Sequence, residues 1–486
     1  MTDVVTARVV ATRVGIRNAW TRLPFRFGVV TMTAAPMGVL EAEVECDDGT
    51  VVKGYAADFL AYKWFDKRPE KTPADNVADL LAALRHARAV YADADADAPF
   101  EVWRTTRQEI EDRVLTDGFN RLGASFATSM MERAVIDAVG RATGQSFDTM
   151  VRSGVLGIDC SEVFETLEPD AHLAAIPDQP LDRLALRHTV GLVDPILPEE
   201  VGADAPDDGL PVSLHSYLRD DRLRYLKVKV SGNLIDDLDR LDQIAKVMGA
   251  AGRPIAVTLD GNEQYKSLDD FVSLMAQIRA RDTLQDFYDA ILFIEQPLDR
   301  SVAMAAPLDP AALDAIGRPL LIDEADGWTE AFAHAITLGY RGVSHKNCKG
   351  VYRSLLNAAL CAQHNAQAGP GAYFQSAEDL TNLPVVPLQA DLAVVATLGI
   401  DHVERNGHHY FRGLQHLTAG ERDAALARHP DLYAPLDDGT VGLAIDDGML
   451  AIGSLQVAGI GVVNPPDMAA TIDEADWRFE MLEAGP

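Results

Sequence analysis

Along its first sixty residues the chain alternates apolar and polar positions with a period of two. Ala7-Arg8-Val9-Val10-Ala11 and Val39-Leu40-Glu41-Ala42-Glu43-Val44 read as strands, and Asp47-Asp48-Gly49 between Glu45 and Val51 reads as a hairpin turn. The period then lengthens. Residues 78–91 and 126–139 carry apolar side chains at helical spacing. Between them lies Ala92-Asp93-Ala94-Asp95-Ala96-Asp97-Ala98-Pro99, a low-complexity acidic loop. Residues 1–150 are therefore expected to form a small α+β domain.

A polar, proline-rich stretch over 194–211 reads as a loop, and after it the texture changes. Short apolar strands alternate with amphipathic helices: Leu226-Lys227-Val228-Lys229-Val230 before a helix over 236–248, then Ile255-Ala256-Val257-Thr258-Leu259-Asp260 before one over 268–280. Further strands are expected at 290–295, 319–323, 342–346, 372–375 and 401–404. Near-continuous apolar runs belong to parallel strands covered on both faces. The strand ends fall at 229, 260, 295, 323, 346, 375 and 404. That even spacing suits a closed (β/α) barrel, and no Gly-rich nucleotide turn follows the first strand as an open doubly wound sheet would need. Thr189-Val190-Gly191-Leu192-Val193 is the candidate for the eighth strand. The fold class is α/β: a modified TIM-type barrel over 151–414, with the α+β domain of residues 1–150 as a cap. Residues 415–486, rich in glycine and short strand-like pieces, are expected to return and complete that cap.

Charge narrows the partners. Lys and Arg number 43 against 74 Asp and Glu, a formal net charge of −31. So acidic a surface argues against nucleic acid and against an anionic membrane. No apolar run is long enough to span a bilayer. The opening Met1-Thr2-Asp3-Val4-Val5 lacks the basic and apolar regions of a secretory leader. Four cysteines (Cys46, Cys160, Cys348, Cys361) form neither a disulfide framework nor a CxxC zinc motif. A cytoplasmic setting is expected.

The informative polar residues are those that terminate strands. Consecutive apolar runs end in Lys229, Asp260, Glu295, Asp323 and Lys346. In a barrel the active site is built from the C-terminal ends of strands, and alternation aims Lys227 with Lys229, Thr258 with Asp260 and Phe293 with Glu295 into the mouth. Three neighbouring carboxylates repel one another unless something cationic compensates. A hard divalent ion with oxygen ligands does so, and Mg2+ suits one carboxylate per strand with positions left for substrate. Two lysines near a metal are expected to have depressed pKa values, and a Lys held neutral is a competent general base. Lys346 lies across the carboxylate arc from Lys229, so the guest molecule has a base on each face. A substrate carboxylate on the ion would have its α-proton acidified, and metal and ammonium groups would stabilise the enediolate. Racemisation or epimerisation, cycloisomerisation and dehydration all follow from that intermediate.

Several motifs are similar to those of the enolase superfamily, within it the muconate-lactonising subgroup of the mandelate racemase/muconate lactonising enzyme family. They are Lys227-Val-Lys229, Asp260-Gly-Asn262, Ile294-Glu295-Gln296-Pro297, Ile322-Asp323-Glu324 and Lys346-Asn-Cys-Lys349-Gly350, with Phe25-Arg26-Phe27-Gly28 and Asp48-Gly49 in the cap. The resemblance implies that Asp260, Glu295 and Asp323 bind Mg2+ and that Lys229 and Lys346 are the acid/base pair. Lys227 would be a supporting cation, and Asn262 and Glu324 would brace the ligands from behind. It also implies cap loops near 20–30 and 54–64 that close over the barrel, a small carboxylate substrate and a homo-oligomer. Where the family carries Gly-Gly the chain has Lys349-Gly350-Val351, so Lys349 stays a second candidate to Lys346. Phe374-Gln375-Ser376 offers no histidine at the seventh strand, which argues against an Asp–His base. His345 reads as packing. Glu404, Asn406, His408 and His409 are either substrate contacts or loop residues, Trp64-Phe65 a lid contact or core, and Asp299-Arg300 a surface pair. Two other functions compete: a metal-independent Schiff-base lyase using one strand-end Lys, and a non-catalytic acid-binding relative.

Overall fold

The computed structural model describes residues 4–27, 30–47, 49–483 and 485. Met1, Thr2, Asp3, Gly28 and Asp48 of the sequence readings lie outside them. The cap opens with a long antiparallel meander, β1 (Ala7–Phe27), β2 (Val30–Cys46) and β3 (Val51–Phe59). Three helices cover one face: α1 (Pro73–Asp93), α2 (Pro99–Thr116) and α3 (Arg121–Thr143). The acidic loop separates α1 from α2, and α2 itself is a helix the periodicity did not single out. α3 starts at Asn120, whose side chain accepts from the Gly123 amide, and ends at Gly144 in the left-handed region. It is buried nearly all round because it is wedged between cap sheet and barrel. Gly54 permits the approach: a Cβ there would stand 2.0 Å from the Ala134 carbonyl oxygen.

The barrel has eight parallel strands: β4 (Arg183–Val190), β5 (Tyr225–Lys229), β6 (Ala256–Asp260), β7 (Ile291–Glu295), β8 (Leu320–Ile322), β9 (Gly342–His345), β10 (Phe374–Ala377) and β11 (His402–Arg405). Each pairs with the next, and β11 pairs with β4 to close the ring. Seven strands fall within two residues of the positions read from the sequence. The first does not: it runs Arg183–Val190, not 189–193. Arg183, Arg187 and His188 interrupt its apolar run, yet Arg187 and His188 are buried, so polarity hid a core strand.

The C-terminal segment serves both halves. Ile472–Asp473 pairs antiparallel with β1 at the cap sheet's edge, and Met449–Ala451 pairs antiparallel with the start of β4. No described helix is long and apolar enough to cross a membrane.

Candidate active site

The strand ends converge on a cavity between barrel mouth and cap. Phe25, Met32, Phe59, Ala61 and Trp64 of the cap roof it, and Lys227, Lys229, Asp260, Glu295, Asp323 and Lys346 form its floor and walls. The strand ladder explains the convergence: Lys229 is in register with Asp260, and Asp260 with Glu295. Lys229 closes β5 and Lys346 follows β9. Four steps around an eight-membered ring place them on opposite walls.

Lys227 is the electrostatic centre. Its Nζ lies 2.6 Å from Glu295 Oε2, 2.9 Å from Glu378 Oε2, 2.9 Å from Glu404 Oε2 and 3.1 Å from Asp260 Oδ2. Lys229 donates to the same Asp260 oxygen. Lys346 lies 2.7 Å from Asp323 Oδ2 and over the Trp64 ring, 4.3 Å from its centroid. Trp64 thus meets the site and is also buried. Lys349 takes the other side of Asp323: its Nζ lies 2.9 Å from Oδ1 and donates to the Asp323 carbonyl oxygen at 2.7 Å. It belongs to the single turn Asn347–Lys349, ahead of the helix Val351–Ala368. Lys346 lines the cavity and Lys349 does not.

Each carboxylate is turned onto an ammonium, and that sets the pKa directions of Lys227 and Lys346. Burial alone would lower Lys227 and Lys346, but Asp260 and Glu295 around Lys227, and Asp323 beside Lys346, raise both. Asp323 goes the other way: burial opposes ionisation, but Lys346, Lys349 and Lys227 hold its carboxyl well below the usual range. Glu295 is the exception among the acids. Burial, with Asp260, Glu378 and Asp323 close by, pushes its carboxyl well above the ordinary value. Its Oε1 is buried with no hydrogen-bond partner among the described residues. An orphaned carboxylate oxygen, 1 % exposed among like charges, is a place short of a cation. Asp260, Glu295 and Asp323 are all-oxygen donors of the type Mg2+ takes, so the residues present fit that ion.

Asn262 and Glu324 stand behind the carboxylates. The Asn262 amide donates to Asp260 Oδ1 at 2.7 Å, and its side chain reaches Glu324 Oε1 at 3.4 Å. Gln296 Oε1 accepts from the Asp323 and Ala325 amides at 2.7 and 3.0 Å, fixing the end of β8. Glu404 and Asn406 line the cavity; His408 and His409 do not. His345 faces outward and packs on Ser354, with 2.7 Å from its Nδ1 to the hydroxyl.

Three contributors escaped the sequence reading. Glu378, just beyond β10, shares Lys227 with Glu404 and is held by Arg187. Lys67 of the cap pairs with Glu263 and lies 3.3 Å from Glu324 Oε1. Arg300 is not half of a surface pair. Its guanidinium holds Glu263 at 2.7 and 2.8 Å and donates to the Trp64 and Phe65 carbonyls at 2.8 Å, tying the cap loop to the barrel. Asp299 instead pairs with Lys266. The charged residue after a short loop gave no hint of this role, because its partners lie more than thirty positions away.

No family model matches the chain, and no curated protein is similar to it in sequence. Solved structures are similar in fold. A muconate lactonizing enzyme from Pseudomonas fluorescens, complexed with muconolactone, is 15% identical over 96% of this chain and 98% of its own, with a TM-score of 0.58. A dipeptide epimerase from Enterococcus faecalis V583, complexed with Mg and the dipeptide L-Leu-L-Tyr, is 14% identical over 94% and 100%, with a TM-score of 0.59. An enolase from Bradyrhizobium, complexed with magnesium and mandelic acid, is 15% identical over 95% and 97%, with a TM-score of 0.56. The chain has the capped-barrel fold of the enolase superfamily. At such low identity this likeness speaks for the fold, and the enolase-superfamily fold hosts more than one chemistry. What the chain does rests on its own residues.

Proposed function

We propose that the protein is a Mg2+-dependent isomerase or lyase that abstracts the α-proton of a small carboxylate substrate, with Lys229 and Lys346 as the acid/base pair. The observation that carries this reading is the placement of two buried lysines, 7 % and 3 % exposed, on opposite walls of one carboxylate-lined cavity. Asp260, Glu295 and Asp323 would hold the ion. When bound, Mg2+ supplies Lewis-acid stabilisation of a substrate carboxylate as negative charge develops, and takes up carboxylate charge otherwise directed at the ammonium groups. Lys229 Nζ addresses the α-carbon from one face and Lys346 Nζ from the other. A proton taken by one and returned by the other inverts the centre; loss of a β-substituent after abstraction gives elimination, and the reverse addition gives cycloisomerisation. Lys227, saturated by four carboxylates, holds their oxygens in place and moves no proton. Lys349 steadies Asp323 from behind. The apolar cap roof of Phe25, Met32, Phe59 and Trp64 excludes water, which strengthens every charge contact beneath it. The similar structures with muconolactone, mandelic acid and a dipeptide support a carboxylate guest. The four cysteines, all buried, suit a reducing cytoplasm, and a homo-oligomer is part of the same reading.

The test is deuterium exchange in D2O across acid sugars, N-acyl amino acids and dipeptides, followed by NMR. Exchange at the α-position is expected, lost with EDTA and restored by Mg2+. Lys229→Ala and Lys346→Ala should each lower turnover by about 10²–10⁴-fold, each variant sparing exchange on the face the other lysine serves. Full activity without metal would overturn the ion's role. A dead Lys349→Ala with an active Lys346→Ala would move the second base to Lys349.

A further inference from the structure

Outside the barrel wall, where β11 pairs with β4, three histidines meet. Arg187 and Thr189 of β4 face inward to Glu378 and Glu404, so His188 between them points out. His408 and His409 occupy the single helical turn Gly407–Tyr410 after β11. One ring nitrogen from each lies within 4.8 Å of the other two. None of the three lines the carboxylate cavity.

We propose that His188, His408 and His409 form a binding site for a divalent transition-metal ion of the zinc class, separate from the carboxylate site. Imidazole nitrogens suit zinc and its neighbours, whereas Mg2+ prefers oxygen. The rings are arranged to ligate. His408 Nδ1 stands 2.9 Å from the Arg405 carbonyl oxygen, which can only accept. The proton therefore sits on Nδ1 and Nε2 is the ring's acceptor, the nitrogen left to ligate, as in the backbone-anchored arrangement of a metal-ligating histidine. His188 Nδ1 lies 3.1 Å from that Nε2. To ligate through Nδ1, His188 carries its proton on Nε2. His409 is 2 % exposed, and its Nε2 has no hydrogen-bond partner among the described residues. That nitrogen lies 4.0 Å from Asp194 Oδ2, which is itself held by the Gly191 amide and the Tyr410 hydroxyl at 2.7 and 2.6 Å. Burial also lowers the pKa of all three rings, keeping them neutral as ligands must be.

Two cations face the cluster, and both are matched elsewhere. Arg22 is paired with Asp208 at 2.8 Å, and Arg405 with Asp379 and Asp391. One cavity borders His188 and His409 and another borders His408, giving an ion two routes from solvent. An ion here would fasten the strand pair that closes the ring. It would also firm the cap, because Arg22 donates to the His409 carbonyl at 3.0 Å and Phe25, part of the cavity roof, stacks on Tyr410 at 4.1 Å.

The test uses the full chain, stripped with EDTA, loaded with Zn2+ in excess Mg2+, desalted, and assayed for metal by mass spectrometry. One zinc per chain is expected, and Co2+ in its place should give intense visible bands of a low-coordinate site that Zn2+ erases. His409→Gln and His408→Ala should weaken zinc retention by at least roughly tenfold, while Asp260→Asn leaves it unchanged. Absence of retained zinc, a Co2+ spectrum like that of the aqua ion, or retention indifferent to His409→Gln would each overturn the proposal. If His408→Ala fails to fold, His409→Gln and the Co2+ spectrum of the parent chain decide. Loss of zinc in Asp260→Asn would place it in the carboxylate cavity and overturn the proposal equally.

Discussion

The two ammonium walls of the cavity are built on different supports. Lys346 stands on a platform shared by barrel and cap. Ser129 of α3 donates to the Asn347 carbonyl, Glu132 of α3 accepts from the Val351 amide, and Asp323 is gripped by Lys349, Ser344 and the Gln296-braced backbone. Lys229 ends β5 with Asp260 as its neighbour, and the chain then runs into the surface helix Leu234–Ala250, where Ile235 is 70 % exposed. One proton-carrying group is thus fixed by long-range packing and the other by the local sheet register. Perturbations of equal chemistry should therefore have unequal consequences on the two walls.

The largest inequality is expected between the two aspartates. Asp323→Asn removes the carboxylate from Lys346 and Lys349 together, and breaking a buried pair from one side costs about 3–5 kcal/mol. Asp260→Asn leaves Lys227 with Glu295, Glu378 and Glu404 and takes the carboxylate from Lys229 alone, so its cost should be smaller. Urea unfolding of the two variants measures the difference; equal losses would mean that the second support adds nothing.

The platform should also give stability a pH signature. Burial pushes the Glu132 carboxyl up to about 7 from 4.5, against the lowering effects of the Val351 amide and of Arg133 and Arg353. The folded chain then holds this proton more tightly than the unfolded one. Its contribution is complete below pH 4.5 and is lost as pH rises to about 7, beyond which it is flat. The loss is on the order of 3 kcal/mol. Glu132→Gln keeps an acceptor for Val351 and cannot ionise, so its stability relative to the parent should climb across that window. A constant difference from pH 4 to 8 would show that Glu132 does not titrate there.

The same contrast explains what could be read along the chain. Parallel strands covered on both faces are apolar until they reach the mouth, so Lys229, Asp260, Glu295, Asp323 and Lys346 stand out as polar stops, and the barrel gathers them. Residues that act across the chain leave no such mark. Glu378 falls beyond the strand read as ending at 375, because Ser376 and Ala377 continue the ladder. Arg187 looks like an interruption of β4 until its partner Glu378 is known. Lys227 shows the same: the carboxylates that raise its pKa, Asp260, Glu295, Glu378 and Glu404, all arrive from other parts of the ring. Local periodicity reports a residue's own element, whereas the charge it faces is decided by closure of the ring.

The smallest effect sharpens the comparison at the cap. Arg300 spans the gap between Glu263 and the Trp64–Phe65 backbone, and Trp64 in turn covers Lys346. Among the described residues no comparable clamp from the cap reaches Lys229. Arg300→Ala leaves Glu263 with Lys67 as its remaining cation and takes the guanidinium from the Trp64 carbonyl, while the Phe65 carbonyl keeps Asn120, a cost of about 1–2 kcal/mol. The greater consequence should be selective. With Trp64 less firmly seated, the roof over Lys346 admits water while the Lys229 wall is untouched. In the D2O assay, Arg300→Ala should slow exchange on the Lys346 face more than on the Lys229 face, with KM raised. Equal slowing on both faces would mean that the cap moves as one rigid lid, and that the unequal supports of the two lysines do not reach the chemistry.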